Sequence, residues 1–395
     1  MKKNDHENLI KELMEKYRVI IAENRELILA DLLRTSQIPS PTFHEQKRAQ
    51  FMKDRFIQNE FTSPYIDDYG NVCAHIKGRL SEKKILICAS IDSPFRADID
   101  HYVQIEKDKA SGVGIADNAT AAATLVSLPE IIEKCGIRYD SDIIFLGTTE
   151  SHGRGDMNGM REFVRHMDSP PDYVINLMST QLGRIDHFCR SVVRCDIECN
   201  LEDMEEDFWK HALHTNANNI ITELVDHLLG IPLPSKPSTT LNIGIISGGK
   251  SYTEPSLKAE VHIGVKSEKN SLVNQVIEDI KDCCADVGAR YGIKLKLNFF
   301  GRQHAGGLHF SHPMVKNAAC IVKQLDYEPS VATSNTQMSV TSSKGIPSLT
   351  LGITTGKRIR HKNAHVNLSP IADGITQILI LLDLIEKGYC DEKTK

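Results

Sequence analysis

The chain has 395 residues, a length typical of two domains or of one domain with a large insertion. Hydrophobic residues make up 41% of the sequence and charged residues 25%, as in ordinary globular proteins. The formal net charge of -5 argues against a nucleic-acid partner, which would require a basic face, and no apolar run is long enough to span a membrane. Ten cysteines without metal-type Cys-x-x-Cys spacing favour reduced thiols in a cytoplasmic protein.

The first part of the chain alternates between helical and strand-like patterns. Apolar residues at helical spacing predict a helix over 8–35, and Thr42 with Glu45 resembles a capping box that opens the next helix. A strand at 83–92, a helix around 117–134 and a strand at 141–148 follow. This β-α-β order predicts a sheet with helices on both faces.

The pattern changes near residue 194. The next predicted elements are a strand at 194–199, a helix at 218–229, strands at 241–249 and 257–265, a helix at 271–287 and a strand at 293–299. Their order is the β-α-β-β-α-β order of ferredoxin-like units. A strand at 345–352 and a helix at 370–387 then resume the earlier alternation. We therefore predict an α/β, doubly wound domain formed by 1–194 and 300–395, with an inserted α+β domain at 195–299.

The segment 145–159 is predicted as a buried strand that ends in a polar loop and enters a helix. The strand at 85–94 comes earlier, and 112–120 lies between the two. Together with 244–251, 301–306, 334–336 and 345–347, and in this order, they resemble the zinc hydrolase family of peptidase T, carboxypeptidase G, the aminoacylases and succinyl-diaminopimelate desuccinylase. The resemblance covers nearly the whole chain. It implies a catalytic domain with a sheet flanked by helices, an inserted lid that often dimerises, and hydrolysis of an amide bond by a metal-bound water.

Two metal-ligand positions implied by the resemblance hold other residues here. The first ligand, a His in the family, is Ser90, and a later acidic ligand falls on Met178. A neutral alcohol and a thioether both suit zinc badly. Both lost ligands belong to the same metal position in the family.

The second metal position is better preserved. Its bridging ligand is matched by Asp117, its second carboxylate by His152, and its last His by His361, with His365 as an alternative. These residue types predict a single zinc site with an open position for water. Each residue also has a simpler interpretation: Asp117 can cap the helix that starts there, and a His in a Gly-rich loop is more often a surface residue.

The catalytic base can be placed in two registers. Matching 153–156 to the family's Gly-rich loop puts Ser151 at the base position and His152 at a ligand position. A shift of one residue makes Glu150 the base and Ser151 the lost ligand. We prefer the first register, because 156–159 also matches there. Asp92, which in the family orients the first His, is retained, so the catalytic candidates are Glu150, Ser151 and Asp92.

Substrate contacts are expected from the inserted domain and its return segment. Lys266 matches a lid Arg that holds a substrate carboxylate in the family, so the charge is kept and the bidentate fork is lost. A lid His that supports the oxyanion is matched by His214 or His211. Arg302 lies in the segment that returns to the first domain and is the third predicted contact.

These features predict a metal-dependent hydrolase that acts on amide bonds of a small peptide or N-acyl amino acid. Its site is atypical, with a single zinc ion or none, and its ordinary activity is weakened. The alternative is a non-catalytic homologue that serves as a binding or scaffold protein. A homodimer through the lid is also predicted, because exposed sheet edges are commonly paired. No nucleic acid and no membrane partner is expected.

Overall fold

The structure is a computed structural model that describes residues 3–59, 63–202, 215–334 and 336–392. It forms two compact units, one made of Met1–Phe188 and Gly307–Lys395 and the other of Cys189–Gly306. The predicted insertion, 195–299, begins and ends inside strands of the second unit. That these units serve as a catalytic domain and a lid stays a prediction.

The described strands, in chain order, are β1 (Tyr65–Ile66), β2 (Val72–Ile76), β3 (Lys84–Ser90), β4 (Gln104–Glu106), β5 (Lys109–Ser111), β6 (Asp142–Thr148), β7 (Tyr173–Met178), β8 (Arg184–Cys189), β9 (Ser191–Asn200), β10 (Thr239–Gly248), β11 (Lys258–Ser267), β12 (Lys296–Gln303), β13 (Gly306–Gly307), β14 (Ser330–Ser334), β15 (Ser348–Gly352), β16 (Gly356–Lys357) and β17 (His365–Asn367). The described helices are α1 (Lys3–Glu23), α2 (Arg25–Gln37), α3 (Gln46–Ile57), α4 (Thr120–Lys134), α5 (Asn158–His166), α6 (Ala217–Leu229), α7 (Asn270–Tyr291), α8 (Pro313–Gln324), α9 (Met338–Ser342) and α10 (Ile371–Glu386).

The first unit is built on a mixed sheet that has nine strands among the described residues. Its order is β1-β2-β6-β3-β7-β15-β8-β13, and β14 pairs with β8. The central pairs β6–β3, β3–β7 and β7–β15 are parallel. Continuous apolar runs such as 85–89 are buried on both faces, which is typical of parallel strands covered by helices. The predicted α/β fold class is confirmed.

A smaller sheet of the first unit joins distant parts of the chain. Its order is β16-β17-β5-β4, and all of its pairs are antiparallel. Strand β17 also contacts the π-helical turn Ile115–Ala119, which leads into α4. This sheet therefore fixes the hairpin between β16 and β17 next to the segment that carries Asp117.

The second unit is an antiparallel sheet in the order β10-β11-β9-β12. Buried and less buried residues alternate along β9 and β11, so one sheet face packs into a core with α6 and α7. Strand β10 lies at an edge and exposes Ile245 and Ile246. The predicted homodimer through such an edge stays a prediction.

Three local predictions were wrong. The helix over 8–35 is two helices, α1 and α2, because the chain breaks at Asn24, whose side-chain amide donates to the carbonyl oxygen of Ile20. Thr42 and Glu45 form no capping box, since the Thr42 hydroxyl donates to Asp92 instead. Asp117 lies within the π-helical turn and caps no helix, because the N-cap of α4 is Ala119.

None of the helices in the described ranges combines the length and the apolar character that a membrane span requires.

Candidate functional site

The candidate site lies where two parallel strands of the first unit end. Strands β3 and β6 are paired in register, with Ser90 opposite Thr148. Asp92 lies just beyond the end of β3, after Ile91, and the loop 150–152 lies just beyond the end of β6, after Thr149. Because the carboxyl ends of parallel strands meet at one edge of a sheet, side chains far apart in sequence come together here.

Asp92 is fully buried and holds this loop in place. Its Oδ2 accepts hydrogen bonds from the Thr42 hydroxyl (2.9 Å), the Ser151 amide (2.8 Å) and the His152 amide (3.0 Å). Its Oδ1 accepts from the Ser151 hydroxyl at 2.5 Å. The carboxylate of Asp92 and the hydroxyl of Ser151, two of the predicted catalytic groups, are therefore hydrogen-bonded to each other.

Ser90, at the position of the first lost ligand, belongs to a buried network of neutral groups. The Gln337 side-chain amide donates to the Ser90 hydroxyl at 2.8 Å, and the Thr148 hydroxyl donates to the Gln337 side-chain oxygen. All three residues are buried. The structure thus places uncharged, mutually bonded side chains at this position. Met178, at the other lost position, ends β7 and is partly buried.

Asp117 and His152 lie next to each other at this site. His152 Nε2 lies 3.2 Å from Asp117 Oδ2, and these side chains are 18% and 9% exposed. Asp117 Oδ2 is buried and has no hydrogen-bond partner among the described residues beyond this ion-pair contact. Asn118 completes the group, because its side-chain nitrogen lies 3.1 Å from His152 Nε2 and donates to the Asp92 carbonyl oxygen at 2.9 Å.

The surroundings of His152 raise the pKa of its imidazole. Burial alone would lower the pKa of His152, but the hydrogen bond to Asp117 and the charges of Asp92 and Asp117 raise it above the usual value. The charge of Arg360 acts in the opposite direction, which places this guanidinium in the electrostatic surroundings of His152. A metal would have to displace the imidazole proton, so protonation competes with metal binding.

Glu150, the other candidate base, forms hydrogen bonds through both its backbone amide and its carboxylate. Its backbone has a φ of 55°, a left-handed conformation that is uncommon outside glycine. Its amide donates to the Glu45 carboxylate at 2.9 Å, and its own carboxylate accepts from the Asn158 side chain at 2.9 Å. Burial raises the pKa of the Glu45 carboxyl, although the amide hydrogen bonds lower it in part. The assignment of the base position to Ser151 or to Glu150 stays a prediction.

His361 lies in the exposed loop between β16 and β17. Its Nδ1 accepts a hydrogen bond from the Asn363 amide at 3.1 Å. His365 lies in β17, where burial and then the charges of Lys109, Lys357 and Arg358 lower its pKa. Across the described ranges, no group of three or more His, Cys, Asp or Glu side chains is placed to hold a metal ion.

The zinc that the resemblance implies would need more donors than this site brings together. Asp117 and His152 supply two donors at one point, but the structure does not bring His361 together with them. Catalytic zinc sites use three protein ligands and a water. The arrangement of the described residues therefore does not fit the zinc site of a hydrolase.

The predicted substrate contacts belong to the second unit. Lys266 is exposed on β11, and Arg302 is exposed on β12, where its guanidinium donates to the Asn274 side chain. His214 and its alternative His211 lie outside the described residues. Substrate binding by Lys266, Arg302 and His214 stays a prediction.

Two residues at the site escaped the sequence analysis. Gln337 directly follows a segment that contributed to the resemblance, yet its partners are 189 and 247 residues away in the chain. Asn118 adjoins Asp117 and could have been predicted from the Ala-Asp-Asn pattern. Its side-chain amide carries N–H donors that can reach a neighbouring loop.

No protein-family model and no curated protein matches the chain. Solved structures do match it. A tripeptidase from Staphylococcus aureus has a TM-score of 0.74 at 16% identity, covering 92% of this chain and 99% of its own. A dipeptidase from Saccharomyces cerevisiae has a TM-score of 0.75 at 11% identity, covering 95% and 98%.

A third similar structure is a dinuclear metal-binding peptidase of the M20 family from Bacillus subtilis. Its TM-score is 0.67 at 14% identity, with 93% of this chain and 99% of that chain covered. At these identities the likeness shows a shared fold over nearly the full length. The fold is thus one on which metallopeptidases are built, while the chemistry of this chain has to be argued from its own residues.

Proposed function

We propose that this chain is a peptidase-fold protein that binds a small peptide or N-acyl amino acid and hydrolyses ordinary amide substrates very weakly or not at all. The observation that carries this proposal is the saturation of Asp92, whose carboxylate accepts four hydrogen bonds from Thr42, Ser151 and His152. A buried carboxylate used in this way holds a loop and has little remaining capacity to accept a proton or orient a metal ligand.

The surroundings of the candidate base support the same conclusion. A metal-bound water needs a nearby carboxylate that can take its proton near neutral pH, and such a base contributes about two to four orders of magnitude in rate. The Ser151 hydroxyl has the high pKa of an alcohol, and it already donates to Asp92. The Glu150 carboxylate accepts from Asn158. Neither group is arranged as a free base.

A second candidate function is slow hydrolysis with a single cation, and one observation favours it. The Asp117 Oδ2 atom is buried, and in the described part of the chain it has no hydrogen-bond partner other than His152 Nε2, which lies 3.2 Å away. Two ligands of one zinc, each bonded at about 2.0–2.2 Å, are separated by a similar distance. Asp117 and His152 would hold such an ion, and a third ligand would have to come from a rearranged loop.

Zinc affinity separates the two candidates without relying on activity. The apoprotein would be titrated with zinc against a competing chelator of micromolar affinity. The proposal predicts a Kd weaker than about 1 μM, because two protein ligands are too few for tight binding. Asp117→Asn and His152→Asn should change this weak binding little, and Asp98→Asn, at an exposed ion pair, is the matched control.

Tight binding of one equivalent that both site variants abolish would favour the single-cation hydrolase. Tight binding of two equivalents would contradict the proposal outright, since it would require ligands that the described residues do not supply.

A further inference from the structure

A cationic hairpin adjoins the Asp117–His152 pair. The residues 357–362, between the end of β16 and the start of β17, carry Lys357, Arg358, Arg360 and Lys362, and all four side chains are exposed. Lys109 lies on the neighbouring strand β5. None of these five cations has a carboxylate partner among the described residues. A solvated surface of this fold usually intersperses both signs of charge, so an unpaired group of one sign needs an explanation.

The hairpin is held rigidly. Ile359 packs against the main core, and Ala364 is fully buried. The Gly112 amide donates to the Ala364 carbonyl oxygen at 3.0 Å, and the Ala364 amide donates to the His361 carbonyl oxygen at 3.0 Å. Because the apolar residues face inward, the cationic side chains between them are directed to solvent.

The hairpin backbone is also strained at one cation. Arg358 has a φ of 59°, a left-handed conformation that a long side chain rarely adopts. Such outliers persist only where the surrounding structure enforces them, and they cluster at ligand-binding segments. Here the two flanking strands enforce the turn.

Two observations place the cations beside the candidate site. Strand β17 pairs with β5, with His365 opposite Ser111, and the Gly112 amide donates to the Ala364 carbonyl oxygen, so the hairpin adjoins the segment that leads to Asp117. Strand β17 contacts the turn that carries Asp117. On the turn between β4 and β5, the Asp108 carboxylate accepts hydrogen bonds from the amide and the hydroxyl of Ser369. Asp108 forms no ion pair with any of the five cations in the described part of the chain.

We infer that the hairpin 357–362 is an anion-binding element that selects, for the Asp117–His152 site, a small amide ligand with an additional carboxylate. Guanidinium and ammonium groups bind carboxylates by charge-assisted hydrogen bonds, and Arg does so bidentately. The cations are too few, and the net charge of -5 too unfavourable, for an extended polyanion such as nucleic acid. This inference rests on the proposed function only in that the ligand's amide group is taken to lie at the Asp117–His152 pair.

The test is calorimetric titration of the full chain with N-acetylglutamate and with N-acetylglutamine, which differ by one negative charge at nearly constant shape. The triple variant Lys357→Gln, Arg358→Gln, Arg360→Gln removes three charges of the hairpin. The triple variant Lys11→Gln, Lys316→Gln, Lys323→Gln removes three exposed charges from helices and is the matched control. Inorganic phosphate serves as a probe for a simple anion site.

The unmodified chain should bind N-acetylglutamate about tenfold more tightly than N-acetylglutamine, as expected for several partly exposed ion pairs. The hairpin variant should lose this preference while its affinity for N-acetylglutamine stays within about twofold, and the control should keep it.

Equal binding of both ligands would overturn the inference and leave the proposed binding function standing. Phosphate binding as tightly as N-acetylglutamate would also overturn it, in favour of a simple phosphate site. Binding of neither amide would overturn both proposals. Rapid hydrolysis of N-acetylglutamate with the same preference would overturn the proposed function and support the role of the hairpin.

Discussion

Replacement of Asp92 distinguishes a structural carboxylate from a catalytic one. Four donors converge on it, and hydrogen bonds to a charged acceptor contribute about 1.5–3 kcal/mol each. They share one carboxylate and are not additive. Asp92→Ala leaves these donors without their acceptor, so the free energy of unfolding should fall by about 4–5 kcal/mol.

Asp92→Asn is a milder perturbation of the same residue. The amide oxygen can still accept from the three donors on Oδ2, and the amide nitrogen can donate to the Ser151 hydroxyl. The loss is then mainly the charge, which also compensates Arg48. Burial lowers the pKa of Arg48 to about 10, while the charges of Asp92 and Glu45 raise it. We therefore expect Asp92→Asn to cost about 2 kcal/mol.

Urea unfolding followed by circular dichroism would measure both changes, and hydrogen exchange would locate them. Exchange should accelerate at Ser151 and His152 in either variant, because their amides donate to Asp92. Asp98→Asn, at an exposed pair with Arg96, should change stability by less than about 0.5 kcal/mol. An Asp92→Asn protein as stable as the unmodified chain, with unchanged exchange in the loop, would refute the structural role.

Three further predictions concern other parts of the chain. Arg55→Ala should lower the free energy of unfolding by about 3–5 kcal/mol, because it leaves the buried carboxylate of Asp31 unpaired; the double variant with Asp31→Asn should recover part of this loss in the same unfolding assay. Burial raises the pKa of Asp383, although the Tyr17 hydroxyl lowers it in part. A raised carboxyl pKa favours folding at low pH and loses this contribution as pH rises through the folded-state value. Asp383→Asn should therefore stabilise the protein more near pH 7 than near pH 3.5, and thermal unfolding across that range would contradict this if the difference were constant. Sedimentation at micromolar concentration should show a dimer that Ile246→Lys in β10 converts to a monomer, whereas a monomeric unmodified chain would remove the predicted lid interface.

The fold could be predicted from the sequence because its strands are local, strongly patterned segments. The run 85–89 is buried on both faces in β3, as a continuous apolar run suggests, and the helix predicted around 117–134 is α4 with the turn before it. Local caps were harder to predict, since Thr42 satisfies a carboxylate 50 residues away instead of the adjacent helix. A short sequence pattern such as a capping box cannot show that a distant residue will compete for the same hydroxyl group.

The candidate site could be predicted from the sequence only in part. The approach of His152 to Asp117 follows from the register of parallel strands and from the matched loop. The hydrogen-bond network around Ser90 could not be predicted, because Gln337 is 247 residues away from Ser90 in the chain. The exposed position of His361 depends on the turn at Arg358. The backbone of Arg358 is left-handed, and this could not be predicted because the position is not a glycine.

Hydrolysis by metal-loaded protein tests the central claim most directly. The full chain would be incubated with excess zinc, and separately with cobalt and manganese, together with a panel of dipeptides and N-acyl amino acids, and products would be followed by mass spectrometry. Turnover is expected to be absent or about two to four orders of magnitude below that of an ordinary metallopeptidase, since neither Ser151 nor Glu150 is placed as a free base. Vigorous hydrolysis that Glu150→Gln abolishes would contradict the account and assign the base to Glu150.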